Sequence, residues 1–119
     1  MNLKKIFLIL ILYLGIDYIY LKLNNKMYND LVLHIQKEKL KTNYLYATLS
    51  YIIMTISFYH FVKNDMDAIL IGLSLYGLWN AVNGVIFVNW TLETTLKDTL
   101  WGISLNYLIY KILSFVKMI

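Results

Sequence analysis

Four apolar runs separated by three polar breaks make up most of this chain. The first run, 6–23, is apolar except for Asp17 and Lys22. At 1.5 Å per residue it is about 27 Å long, enough to cross most of a hydrocarbon core. The second run, 44–62, crowds Tyr44, Tyr46, Phe58, Tyr59 and Phe61 at its two ends, as aromatic belts do at bilayer interfaces. The third, 68–88, is interrupted only by glycines, Ser74, Asn80 and Asn83. The fourth, 99–116, holds Asn106 inside and Lys111 toward its end. The pattern predicts an all-α fold in one domain over 1–119: a polytopic membrane protein built as a four-transmembrane-helix bundle, with both termini on one side.

The breaks differ in character. Residues 24–43 are the longest and most polar, yet Met27, Leu31 and Ile35 recur at helical spacing. That spacing predicts an amphipathic helix lying in the interface, against the alternative of a solvated loop. Residues 63–67 and 89–97 are short polar turns. The lysine-bearing start followed by an apolar run has the outline of a secretory signal. The lack of a small-x-small site, together with Asp17 inside the run, argues for a retained first helix.

Composition sharpens the membrane reading. Hydrophobic residues make up 60% of the chain, above the roughly 45–50% of soluble domains. The net charge is +4, and all 11 basic residues are lysines. They flank the apolar runs and form no separate stripe, so they point to anionic lipid headgroups and not to nucleic acid. Lys22, Lys26, Lys37, Lys39, Lys41 and Lys97 fall on one side and Lys4, Lys5, Lys63 and Lys117 on the other, which leaves orientation open. With no cysteine, disulfides and thiolate chemistry are excluded. His34 and His60 stand far apart, with no ligand spacing around either, so neither a metal site nor a cofactor is expected.

The candidate chemistry lies in one half of the bilayer. Asp17 is six residues from the end of its run, roughly 9 Å deep. Asn83 is roughly 8 Å below the same side, and Asn80 lies one turn deeper. Asp98 opens the fourth run on that side, where it would serve equally as a helix cap. Tyr76, Asn80, Asn83 and Gly84 share one helical stripe; Asp98, Trp101, Gly102 and Leu105 form another; Tyr20 sits one turn from Asp17. Carboxylates and amides are costly in lipid, which favours turning them inward. Two readings stand: structural glue that fixes helix register, and a water-accessible pocket with a working carboxylate, Asp17 being the deeper one.

These residues carry a resemblance. The chain resembles the small bacterial membrane proteins of domain-of-unknown-function family 2177. The matching features are Asp17–Tyr20, Tyr28, Tyr76, Asn83, Trp90 and the run Asp98-Thr99-Leu100-Trp101-Gly102. The resemblance implies a four-span bundle and a site at these positions, but no activity. Where the family has Tyr-Asp-Leu-Thr-Asn, this chain has Trp79-Asn80-Ala81-Val82-Asn83. Asn80 therefore stands where an acid is expected.

Three functional classes follow. The leading one binds or transports a small polar or lipid-headgroup ligand at Asp17, Tyr20, Tyr76, Asn80, Asn83, Asp98 and Trp101. For transport, a homo-oligomer is expected, since one small bundle encloses little space. The second is a structural or assembly subunit of a membrane complex. The third is a membrane-embedded lipid-modifying enzyme using Asp17 as acid or base, although no nucleophile or metal set stands beside it.

Overall fold

The computed structural model describes residues 1–119, and every regular element is helical. Helix α1 spans Leu3–Leu23, α2 Asn25–Gln36, α3 Tyr44–Phe61, α4 Asp65–Gly72, α5 Leu78–Ile86 and α6 Leu92–Phe115. A π-helical turn, Leu73–Gly77, joins α4 to α5 without breaking the rod. Two helices are long and apolar enough to cross a membrane, Leu3–Leu23 and the rod Asp65–Ile86. In α3, the tyrosines, hydroxyls and His60 dilute the apolar residues; in α6, Glu93, Lys97, Asp98 and Lys111 do so.

Side-chain caps set most of the starts. Asn2, Asn43, Asn64 and Thr91 each accept a hydrogen bond from a backbone N–H of the turn that follows, satisfying donors a helix leaves orphaned. Thr91 changes the expectation for Asp98. The last helix begins at Leu92 and not near 98, so Asp98 is no cap but lies nearly two turns inside. The polar stretch expected as a turn over 89–97 is mostly helix, because Thr91 and Glu93 provide a strong start. The first break does hold a helix, α2, with Leu31 buried and Met27 and Ile35 half-buried beside it. It ends at Lys37, which adopts a left-handed conformation (φ 63°).

The rods pack side by side. Helix α1 lies against α3 and α6, the α4–π segment against α6, and α3 against α4. Contacts at one end fix directions: the Asn2 N–H donates to the Tyr59 hydroxyl at 2.8 Å, and Lys111 pairs with Asp65 at 2.8 Å. In this half the core is apolar, with Ile9, Phe58, Val62, Ala68, Ile109 and Leu113 fully or almost fully buried. Helices α4 and α6 approach closely where Gly72 meets Gly102, both buried. A Cβ at Gly72 would come within 2.5 Å of the Gly102 carbonyl oxygen and 2.7 Å of the Ile103 Cα.

One polar pair lies at the edge of this core. The Tyr13 hydroxyl donates to Asn106 Oδ1, and Asn106 Nδ2 donates to the Gly102 carbonyl at 2.7 Å. Both residues are fully buried. Interhelical hydrogen bonds in membrane proteins average about 0.6 kcal/mol and reach about 1.7. A double-mutant cycle with Tyr13→Phe and Asn106→Leu is expected to give a coupling in that range, measured by unfolding in mixed micelles. The double variant should recover part of the stability lost by Asn106→Leu alone, because it strands no hydroxyl.

The exterior inverts the usual order. Only 17 of 119 residues are buried, and six of these are polar or charged. Large apolar side chains such as Phe7, Ile11, Ile53, Leu100 and Val85 face outward. An apolar outside around polar buried residues suits a hydrocarbon solvent.

Candidate functional site

The polar residues gather at the end of the rods opposite the Asp65–Lys111 pair. Asp17 projects from α1, where it is 6% exposed. One of its oxygens accepts from the Tyr51 hydroxyl of α3, the other from Trp101 Nε1 of α6 at 2.8 Å. Asp98 of α6 is 5% exposed. Its Oδ1 accepts from the Tyr28 hydroxyl of α2 at 2.6 Å, and its Oδ2 accepts from Asn80 Nδ2 of α5 at 2.6 Å. Each carboxylate thus ties three helices together.

Aromatic side chains link the two carboxylates. Tyr20 stacks on Trp101 with ring centres 4.2 Å apart and planes 8° apart. Its hydroxyl lies 3.0 Å from that of Tyr28. The ladder runs from Tyr51 through Asp17, Trp101, Tyr20 and Tyr28 to Asp98 and Asn80. Burial and the bond to Asp98 push the Tyr28 hydroxyl well above its ordinary range, so it remains a proton donor at any physiological pH.

Asn80 is fully buried. Its Nδ2 also donates to the Tyr76 carbonyl at 2.8 Å, within the π turn. Both partners of that nitrogen are acceptors, which fixes the amide orientation. Its Oδ1 is left buried with no partner. The Tyr76 ring packs against Gly102, where a Cβ would lie 2.5 Å from the Tyr76 Cβ.

The structure brings together Asp17, Tyr20, Asn80, Asp98 and Trp101, with Tyr76 beside them through its carbonyl. It does not bring in Asn83, which is half-buried one turn nearer the end of α5 and makes no side-chain hydrogen bond. Two further members join them. Tyr28 reaches the site from α2, and Tyr51 from the middle of α3. Tyr51 carries no local sequence signal apart from being a polar tip in the middle of an apolar helix. No three acidic or histidine side chains converge. Both ion pairs, Lys26–Asp30 and Lys111–Asp65, lie outside the cluster.

The family model for DUF2177, described as a predicted membrane protein, matches residues 2–113. The chain belongs to this family. That match takes in every member of the cluster, from Asp17 to Trp101. Comparison with curated proteins and with solved structures returns no match.

Proposed function

We propose that this DUF2177 protein is a four-span membrane bundle with a binding site facing one leaflet, taking a small polar group such as a lipid headgroup. The carrying observation is that two buried carboxylates and their partners from five helices meet at one end, while the other half is closed by apolar side chains. Ile9, Phe58, Val62, Ile109 and Leu113 leave no polar column beyond Tyr13 and Asn106. This favours one-sided binding over transport across the bilayer. The long dimension of 46 Å suits a bilayer of about 40–45 Å with its headgroups. Helix α2 would lie at the headgroup level, where exposed Lys37, Lys39 and Lys41 meet lipid phosphates.

Tyr28 closes the mouth through its bond to Asp98. Helix α2 packs less closely than the other helices, so it is the element able to move. Since the chain has no cysteine, single cysteines report access directly. Cysteines at Asn80 and Asp98 should react slowly with an impermeant thiol reagent, from the Lys41 side only, with Lys41→Cys and Asn64→Cys as controls for the two sides. Tyr28→Phe should speed labelling at Asn80→Cys several-fold. Labelling from both sides would favour a transport path. Silence at both positions, with the controls labelled, would leave the cluster as packed glue.

A further inference from the structure

We infer that the ligand of this site carries a primary ammonium group, received by Asp98 and the free carbonyl oxygen of Asn80, with the carboxylate of Asp17 adding negative charge in the same cluster. The inference rests on the one-sided binding site proposed above and adds the charge and donor count of what enters it.

Charge comes first. Asp17 and Asp98 are buried, and each receives hydrogen bonds only from neutral donors: Tyr51 and Trp101, Tyr28 and Asn80. No lysine reaches either one; the two ion pairs use Asp30 and Asp65. A buried carboxylate without a cation is costly, so a group that brings positive charge gains what the protein leaves out.

The second observation is independent of the acids. Asn80 Oδ1 is buried and unpartnered, although the same amide makes two short bonds through its nitrogen. A carboxylate offers about four lone-pair sites, and each of these uses two. The cluster therefore keeps three groups with free acceptors: Asn80 Oδ1, Asp98 and Asp17. An ammonium of the R–NH₃⁺ type has three donors and no acceptor. A trimethylammonium has no N–H and would leave Asn80 Oδ1 unsatisfied. Calcium needs six to eight oxygens and magnesium a near-octahedral set, whereas no three acidic or histidine side chains meet here. Entry requires Tyr28 to leave Asp98, since Asn80 is closed off in this structure.

The amine could arrive on a phospholipid headgroup or as a free small amine; both present the same group. The test uses the full chain in nanodiscs of phosphatidylglycerol, with Trp79→Phe and Trp90→Phe leaving Trp101 as the sole reporter. Ethanolamine, tetramethylammonium chloride and sodium chloride are titrated at constant ionic strength, and phosphatidylethanolamine is added in a separate series. A saturable Trp101 response to ethanolamine, weakened at least tenfold in Asp98→Asn, supports the inference with a free amine as ligand. A response confined to phosphatidylethanolamine, weakened likewise, supports it with the headgroup as ligand. An equal response to tetramethylammonium or sodium overturns it. An undiminished response in both Asp98→Asn and Asp17→Asn also overturns it, the second variant standing in if the first does not fold. If cysteines at Asn80 and Asp98 label but no amine acts, this inference fails and the one-sided site stands. If those cysteines stay silent, the site itself fails.

Discussion

Gly72→Ala is expected to destabilise the protein by about 1–3 kcal/mol or more, the usual range for overpacking a close contact. The added methyl would meet the Gly102 carbonyl oxygen at 2.5 Å, the Ile103 Cα at 2.7 Å and the Gly102 carbonyl carbon at 2.9 Å. All three are backbone atoms, so no side-chain rotation relieves the contact, and α4 and α6 must separate. Small residues permit such crossings in membranes, where dispersion and hydrogen bonds drive association in place of hydrophobic burial. Gly102→Ala is expected to act similarly, because its methyl meets the base of the Tyr76 side chain, which turning the ring cannot move. That variant should also disturb the site, since the Tyr76 carbonyl anchors Asn80. Gly15→Ala is the control. Nothing lies within 4 Å of its Cβ position, and alanine is the better helix former by up to about 1 kcal/mol in water. Unfolding in mixed micelles should therefore order the variants Gly15→Ala, wild type, then Gly72→Ala. A Gly72→Ala protein as stable as wild type would show that the crossing is looser than these distances.

Much of this arrangement is legible in the sequence because lipid imposes a simple rule: long apolar runs become helices, and polar residues inside them turn inward. Asp17 and Asn80 stand out for that reason, and their distances from the ends of their runs follow from helix rise alone. What the sequence hides is lateral. Tyr51 lies in 44–62 among many tyrosines and hydroxyls, and only the packing of α3 on α1 selects it as the partner of Asp17. Tyr13 and Asn106 are 93 positions apart and read separately as an ordinary aromatic and a lone amide. The start of α6 is misread because a polar segment resembles a turn until Thr91 is seen to cap it. Spacing puts Asn80 and Asn83 on one stripe but does not tell which turn of it the neighbouring helices cover; here they cover Asn80. The π turn at Leu73–Gly77 has no sequence signature here, yet it supplies the Tyr76 carbonyl that orients Asn80.

Asp17→Leu and Asp17→Asn are expected to part company in stability, and the difference separates packing from charge. In the wild type, Asp17 accepts from a hydroxyl, Tyr51, and from an indole N–H, Trp101. Leucine offers no acceptor. The Tyr51 hydroxyl can turn elsewhere, but an indole N–H is a donor only, so Trp101 loses its partner in a half-buried position. Stranding a buried donor costs about 1–3 kcal/mol in soluble proteins and less in membranes, where individual hydrogen bonds are weaker. A loss of about 1–2 kcal/mol is therefore expected for Asp17→Leu in the unfolding assay, with altered Trp101 fluorescence. Asparagine keeps both bonds: its Oδ1 accepts from Trp101, and its Nδ2 donates to the Tyr51 oxygen, which can accept as well as donate. Asp17→Asn should be no less stable than wild type, because it keeps both bonds and removes a buried charge that no cation pairs, while taking one negative charge from the site. If the cluster is only glue, Asp17→Asn should match wild type in its ligand response. If it holds a cation, Asp17→Asn should fold normally and bind ethanolamine or phosphatidylethanolamine more weakly, because its stability depends on hydrogen bonds that asparagine preserves and its affinity on a charge that asparagine lacks.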